Sequence, residues 1–258
     1  MSDYLRVVAA LGRRSVKQAF RRPQFLAPIL LFPTLFLILN TGGAGSAEDI
    51  PGFPEVNGIL DFELPGTLIQ CTMLAGVSAG ISLALDVEMG FLDRLVASPI
   101  HRSAIVLGRL VATAVLGLLA GFYFLIVGFA SGMTVEGGVL GVLVILVMVP
   151  LSAIAFGAIG SALALRSGRA SVVQGIFPIV FVILFLSSAF FPRDLLTEPA
   201  ATIADFNPMS YMAEGIRDGV ISDVSLEPVL KGLAGVTLLG GVGIGLCALA
   251  LRARLKAG

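Results

Sequence analysis

A mixture of acidic, basic and bulky apolar side chains lies within residues 86–103, between two long apolar segments. A short amphipathic helix of this composition can offer a partner protein an ion-pairing rim around apolar anchors. Pro99 would then end the helix and redirect the chain into the next apolar segment. A solvated loop with an incidental run of charge is the alternative interpretation. The candidate residues are Glu88, Gly90, Phe91, Leu92, Arg94, Leu95, Pro99 and Arg102.

A second group of polar and aromatic residues lies in and just before the loop at residues 192–226. Its Asn207-Pro208 dipeptide is typical of a turn that opens a short helix, which we predict near residues 209–217. The aromatic and apolar side chains beside this turn favour a position at a membrane surface. An ordinary interfacial helix without a further role is the alternative. The candidate residues are Phe190, Phe191, Pro192, Asn207, Pro208, Tyr211 and Arg217.

Residues suited to catalysis, metal binding or nucleotide binding are few. His101 is the single histidine, and Cys71 and Cys247 lie far apart in apolar segments, which argues against a metal site or a disulfide. The glycine-rich run at residues 240–245 lacks the Lys-Ser/Thr pair of a phosphate loop, so we interpret it as a helix-packing surface. The acidic residues fall in loops, which argues against an intramembrane enzyme. We predict that this chain binds no metal, nucleotide or cofactor.

The composition of the chain is that of a membrane protein. Hydrophobic residues make up 57% of the 258 residues and charged residues 13%, whereas soluble domains carry about 25% charged residues. The mean hydropathy is +0.98. Little of the chain remains for a soluble domain, so we predict a single all-α membrane domain over residues 1–258.

Six apolar segments are long enough to cross a bilayer, which takes about 20 residues of helix. These segments lie at residues 24–40, 64–85, 104–131, 139–165, 170–191 and 228–251. No acidic or basic residue lies deep in any of them, which argues against a proton relay or an ion-binding site. The second segment carries Gly76 and Gly80, a spacing that allows close helix packing.

Residues 4–22 place apolar side chains on one face of a helical wheel and basic side chains on the other. This pattern predicts an amphipathic helix in the membrane interface, with its cations directed toward anionic lipid headgroups. A solvated basic arm is the alternative, but the regular apolar stripe argues against it. The basic residues are Arg6, Arg13, Arg14, Lys17 and Arg21.

Basic residues are distributed unevenly among the connections between apolar segments. Residues 1–23, 86–109, 166–169 and 252–258 hold 14 of the 17 Lys and Arg residues but only 4 of the 17 acidic residues. Because basic connections remain in the cytoplasm, both termini are predicted to be cytoplasmic. This orientation requires an even number of crossings, in agreement with six, in a multi-pass protein of the cytoplasmic (inner) membrane.

The loop after the second apolar segment resembles the cytoplasmic motif of ABC-2-type transporter permeases: an acid, a glycine, a Leu-rich amphipathic turn, then Pro, Arg and a Gly-Lys pair. Here the motif runs from Glu88 to Arg102 and continues to Gly108-Arg109, with Arg in place of Lys. A second similarity covers residues 187–192 and 207–211 with Arg217, where the family shows small-small-Phe-Phe-Pro, Asn-Pro-Leu-Ser/Thr-Tyr and Arg. Both motifs occur in the order that the family shows, and the resemblance extends across the whole chain. Within the family, the chain most resembles the daunorubicin-resistance-like group of drug and lipid exporters.

This resemblance implies a permease that pairs with a second permease copy, identical or homologous, and with two separate ABC ATPase subunits. ATP and Mg would bind at those ATPases. Residues 86–100 would form the coupling helix that seats in a cleft of the ATPase. The group at residues 190–217 would cap the outer end of a pathway between two permease copies.

A pathway without buried charge favours an amphipathic cargo, such as a drug, a lipid or a related hydrophobic compound, moved outward by alternating access. A polysaccharide or glycolipid exporter shares this outline and is the alternative. A secondary transporter without an ATPase is a further alternative, but the inverted repeat that it would normally show is not evident. Membrane lipid is an expected partner, and nucleic acid is not.

Overall fold

The structure is a computed structural model that describes residues 3–43 and 50–257, and the regular secondary structure within these residues is helical. The helices are α1 (Asp3–Arg21), α2 (Pro23–Gly43), α3 (Ile59–Glu88), α4 (Phe91–Ala97), α5 (Arg102–Ala130), α6 (Gly138–Ser167), α7 (Ala170–Gly175), α8 (Phe177–Phe185), α9 (Ala200–Phe206), α10 (Pro208–Ile221) and α11 (Leu226–Ala257). The predicted all-α class is confirmed for this part of the chain. Residues 44–49 of the predicted first outer loop lie outside the described residues.

Five of the described helices are long and apolar enough to cross a bilayer. Their apolar parts are Leu26–Gly43, Ile59–Glu88, Arg102–Ala130, Gly138–Ser167 and Leu226–Ala253. Each coincides with one of the predicted spans, so the chain is a multi-pass membrane protein. Helix α3 lies at the centre and packs against α2, α5, α6, α7 and α10.

The predicted span at residues 170–191 is not one continuous helix. It consists of α7 and α8, which together form the shorter apolar helix Ala170–Phe185 and are interrupted at Ile176. Pro178 lies in the first turn of α8, where it cannot donate the backbone hydrogen bond that would continue α7. The 16 residues from 170 to 185 rise about 24 Å as helix, less than the ~30 Å hydrocarbon thickness of a bilayer.

Helix α3 begins at Ile59, five residues before the predicted start of the second span, and it ends at Glu88. Asp61 and Glu63 precede the predicted span at residues 64–85 but lie inside the helix, and each is only 4% exposed. Asn40 Nδ2 donates to Glu63 Oε2 over 3.1 Å, and Thr134 Oγ1 donates to Asp61 Oδ2 over 3.0 Å. The prediction that the acidic residues lie in loops is wrong here, because side chains from other elements satisfy these carboxylates.

Close packing of α3 against α6 depends on glycines from both helices. A Cβ atom added to Gly80 would lie 2.6 Å from the carbonyl oxygen of Gly160, and one added to Gly76 would lie 2.5 Å from Phe156 Cβ. These distances are too short for any side chain. The prediction that Gly76 and Gly80 form a close-packing face is therefore confirmed.

Helix α1 forms where the amphipathic pattern predicts it, and it packs along α5. A Cβ atom on Gly108 of α5 would lie 2.6 Å from Leu11 Cβ. Part of the apolar stripe that was predicted to face lipid, including Leu11, is therefore a helix–helix contact. The basic side chains Arg6, Arg13, Lys17 and Arg21 are exposed.

Candidate functional site

The predicted coupling segment is divided between two helices and a connecting turn. Gly90 has φ = +67° and separates the end of α3 from α4, a conformation that glycine adopts without steric cost. Helix α4 then covers residues 91–97, and Ser98 closes it by donating its hydroxyl to the Leu95 carbonyl over 2.6 Å. Pro99 follows, and α5 begins at Arg102. The short helix and its end before Pro99 agree with the prediction, but residues 86–88 belong to α3.

Helix α4 buries one face against its own chain and exposes the other. Leu92 is 2% exposed and packs with Leu83 and Ile105, and Leu95 is partly buried against the same cluster. Phe91 lies beneath the Arg14 guanidinium, whose carbon is 3.8 Å from the ring centroid. The apolar residues that were predicted to anchor a partner are therefore used to attach α4 to the rest of this chain.

The exposed residues of the α4 region are mostly polar, and Met89, which is 56% exposed, is the large apolar exception. Asp93 and Arg94 are exposed on α4, Pro99 is exposed on the turn after it, and Arg102 is exposed at the start of α5. Glu88 is also exposed, and its Oε1 accepts a hydrogen bond from the backbone nitrogen of Ala170 over 2.8 Å. Glu88 therefore caps α7 in addition to belonging to the exposed surface.

One buried carboxylate joins three helices beneath α4. Asp86 of α3 is 2% exposed and accepts two hydrogen bonds from Arg14 of α1, over 3.1 and 3.2 Å. Arg109 of α5 donates to Asp86 Oδ2 over 2.5 Å and to Ser82 Oγ over 2.8 Å. Charge-assisted contacts of this kind are stronger than neutral ones. Asp86 lies in the predicted coupling segment and Arg14 in the predicted interfacial helix, but no pattern in the sequence predicts that they meet. The resemblance aligns Arg109 with the basic residue of the family motif.

The predicted turn at Asn207-Pro208 opens α10 as expected. Asn207 Oδ1 accepts a hydrogen bond from the Met209 backbone nitrogen over 3.0 Å, which caps the helix. The same side chain donates through Nδ2 to the carbonyl oxygens of Ile183 and Leu186, over 2.7 and 3.3 Å. Asn207 therefore joins the start of α10 to the end of α8.

Arg217 of α10 gathers three carbonyl oxygens at the same end of the molecule. It is 6% exposed and donates to Phe62 O over 3.2 Å, Ser188 O over 3.0 Å and Ala189 O over 2.5 Å. Its guanidinium carbon also lies 3.9 Å from the centroid of the Phe62 ring. Burial lowers the pKa of Arg217 to about 10, so the side chain remains positively charged at neutral pH.

The remaining residues of the second predicted group surround this cluster. Phe190 is buried, and its ring centroid lies 5.2 Å from that of Phe36. Pro192 is also buried, whereas Phe191 is 55% exposed. Tyr211 donates its hydroxyl to the Asp205 carbonyl over 2.7 Å. Apart from Phe191, the predicted residues are brought together as a folded cap over one end of α3.

A guanidinium outside the predicted group stabilises this cap. Arg193 contacts Asp205 and donates through Nε to Glu214 Oε1 over 2.9 Å. Burial disfavours the charged form of Arg193, but the hydrogen bond and charge of Glu214 outweigh it and raise the pKa of Arg193 above its ordinary value. The sequence shows a basic residue just after Pro192, yet its partners lie 12 and 21 residues further along the chain.

Comparisons with known proteins cover both groups of residues. The model of the family described as ABC-2 type transporter matches residues 6–221. A daunorubicin resistance ABC transporter permease protein of Streptomyces coeruleorubidus is 28% identical over 240 residues, which cover 84% of this chain and 82% of the relative. A putative transport permease of Porphyra purpurea is 26% identical over 220 residues, covering 83% and 74%. A probable doxorubicin resistance ABC transporter permease protein of Mycobacterium tuberculosis is 22% identical over 167 residues, covering 65% and 60%.

Proposed function

Because this chain belongs to the ABC-2 type transporter family, we propose that it is the membrane-spanning permease subunit of an ATP-driven exporter. The family match over residues 6–221 is the observation that carries the proposal. Two separate ATPase subunits bind ATP and Mg, and a second permease copy, identical or homologous, completes the pathway. Alternating access then moves the cargo outward.

The ATPase contacts the exposed face of the α4 region. Asp93 and Arg94 offer opposite charges there, and Arg102 adds a further cation beside them. Charged groups at the rim of an interface select and steer a partner more than they add affinity. Phe91 and Leu92 support this face from inside, since both contact other parts of the same chain.

Residues 170–189 form one further crossing, which is the fifth in chain order and brings the total to six, in spite of the break between α7 and α8. One end of this segment meets Glu88 at the end of α3, and the other end meets Gly66 near its start, where a Cβ atom would lie 2.3 Å from Ala189 O. The part of α3 between these contacts is about 33 Å long at 1.5 Å per residue, which matches a bilayer core of ~30 Å. Six crossings and the distribution of basic residues support cytoplasmic termini, with α1 at the cytoplasmic surface.

The cargo is an amphipathic drug, a lipid or a related hydrophobic compound. Two of the relatives named above are described as drug resistance permeases, which supports this class over the polysaccharide and glycolipid cargoes that the sequence left open. Transport by the purified chain in vesicles without any ATPase would instead favour a secondary transporter.

Reversal of one exposed charge on α4 tests the ATPase contact. We expect Asp93→Arg to weaken binding of the cognate ATPase by about tenfold or more, which corresponds to roughly 1.4 kcal/mol. Co-purification of the ATPase and its stimulation by the permease should fall accordingly. The matched control is Asp223→Arg, which reverses the same charge on an exposed residue between α10 and α11. ATPase binding and stimulation that are unchanged in Asp93→Arg would contradict the proposed contact.

A further inference from the structure

A strongly basic cleft runs along α1 as far as Arg22, the residue between α1 and α2. Its volume is about 580 Å³, and its cationic lining residues are Arg13, Arg14, Lys17, Arg21 and Arg22. Among the described residues, Arg14 is the member of this set that forms an ion pair, with Asp86. The other four cations form no ion pair with a described residue.

A small cavity lies directly beneath the cleft, among α1, α2, α3 and α5. Its volume is about 30 Å³, enough for a water molecule, and Gln18 and Arg22 line both the cavity and the cleft. Within the described part of the chain, the buried Gln18 Oε1 atom accepts no hydrogen bond. A buried acceptor without a donor is destabilising, so Gln18 Oε1 can accept a hydrogen bond from a ligand group that enters the cavity.

The charges around the cavity are unbalanced. Arg22 and Arg109 line the cavity, and the carboxylate of Asp86 contacts Arg109 but is shared with Arg14. Arg22 lies near enough to act electrostatically on Arg109.

The surface next to the cleft is apolar and open. Helix α2 begins immediately after Arg22, and Leu31 and Leu35 on it are about 60% exposed. Ile29, which lines the cavity, lies on the opposite face of α2. A ligand that reaches both regions needs an anionic head and an apolar chain. It also needs a hydrogen-bond donor for Gln18.

We propose that α1 and the start of α2 bind the head group of an anionic phospholipid that carries both a phosphate and a hydroxyl group. Arg22 and its neighbouring cations bind the phosphate, the head-group hydroxyl donates to Gln18 Oε1, and the acyl chains lie along α2. The assignment rests on the proposed position of α1 at the cytoplasmic surface. It also connects the lipid to α4, since Arg14 lies both in the cleft and over Phe91.

Binding is tested on the purified full chain in a neutral detergent by measuring the midpoint of thermal unfolding. A ligand that binds the folded state raises this midpoint. We expect phosphatidylglycerol to raise it in a saturable manner, and phosphatidylcholine and inorganic phosphate to have little effect. Equal effects of phosphatidylglycerol and phosphatidylcholine would overturn the proposal. An equal effect of inorganic phosphate would assign the cleft to a free anion and overturn the lipid assignment.

Two variants separate a defined site from general attraction of charge. Arg22→Gln should raise the phosphatidylglycerol concentration at half-maximal effect by about tenfold, the loss expected for a hydrogen bond to a charged group. Arg6→Gln removes the same charge from an exposed position of α1 outside the cleft and should change this concentration by less than about twofold. Equal losses in both variants would overturn the proposal.

A third variant retains the net charge. Gln18→Leu removes the unpartnered acceptor and should weaken phosphatidylglycerol binding by roughly fivefold. Binding that is unchanged by this substitution would contradict the role of Gln18. Because the assay contains no ATPase, a negative result leaves the proposed exporter function intact, and a loss of ATPase stimulation in Asp93→Arg leaves lipid binding unaffected.

Discussion

At the scale of single residues, buried charges hold helices together at both ends of this molecule. Asp86 joins α1, α3 and α5, and Arg217 joins α10 to α3 and to the chain after α8. Each makes several hydrogen bonds in a site closed to solvent. Removal of either side chain therefore leaves other buried polar groups without a partner, which is more costly than the loss of one bond.

Asp86→Asn should lower the free energy of unfolding by about 3–5 kcal/mol, because it leaves Arg109 buried without its counter-charge. The measurement is unfolding in mixed detergent micelles, followed by far-UV circular dichroism. Asp93→Asn makes the same chemical change on the exposed face of α4 and should alter stability by no more than about 0.5 kcal/mol. Equal stability of the two variants would contradict the role of Asp86.

Local sequence signals at this scale were reliable, and long-range pairings were not accessible. Asn207 caps α10 as its dipeptide predicts, because the cap involves only the next two residues. The contacts of Asp86 with Arg109 and Arg14 join positions 23 and 72 residues apart, and no spacing in the sequence indicates them. For the same reason, the apolar pattern of α4 did not reveal that Leu92 packs inside this chain.

At the scale of helices, small residues determine how closely the central helices α3 and α6 approach each other. At Gly80 and Gly160, a backbone carbonyl of the other helix occupies the space that a Cβ atom would need. Without bulk hydrophobic exclusion by water, such close packing is a principal source of helix association in a bilayer.

Gly80→Ala should destabilise the protein by about 1–3 kcal/mol, because the added methyl group meets backbone atoms of Gly160 that cannot rotate away. Gly241→Ala is the matched control, since a Cβ atom at that position of α11 contacts nothing within 4 Å. It should leave stability unchanged or raise it by up to about 1 kcal/mol through helix propensity. Unfolding in mixed micelles compares the two, and a stable Gly80→Ala variant would show that α3 and α6 separate easily.

Helix positions followed from hydropathy, but helix ends did not. Five predicted spans coincide with long apolar helices, because length and composition determine whether a segment can cross a bilayer. The start of α3 was placed too late, since Asp61 and Glu63 are polar and their partners Asn40 and Thr134 come from distant elements. The break between α7 and α8 has its cause in Pro178, but the otherwise apolar run around this proline predicts one continuous span.

At the scale of the whole molecule, the α4 region and the cap formed by Asn207 and Arg217 lie at opposite ends of α3. Asp86 is near one end of this helix and Phe62, which contacts Arg217, is near the other. The proposed inward and outward functions are therefore separated by the length of one spanning helix.

Accessibility of introduced cysteines tests the crossing at residues 170–189. In a background with Cys71 and Cys247 replaced by Ala, we expect Glu198→Cys to react with a membrane-impermeant maleimide in intact cells and Arg169→Cys to react only after the membrane is opened. Both positions are exposed and they flank α7 and α8. The unsubstituted chain is the control, since its two cysteines are buried and should not react. Labelling of both introduced cysteines from the same side would contradict a crossing at residues 170–189.

Helix α3 and the segment at residues 170–189 lie side by side and are joined by hydrogen bonds at both ends. At one end, the Ala170 backbone nitrogen donates a hydrogen bond to Glu88. At the other end, Arg217 donates to the carbonyl oxygens of Phe62, Ser188 and Ala189. Because the two are joined at both ends, sliding of one past the other is opposed. We therefore expect a displacement of Glu88 to move the segment at residues 170–189 together with α3, and the loss of either set of contacts to let the two slide.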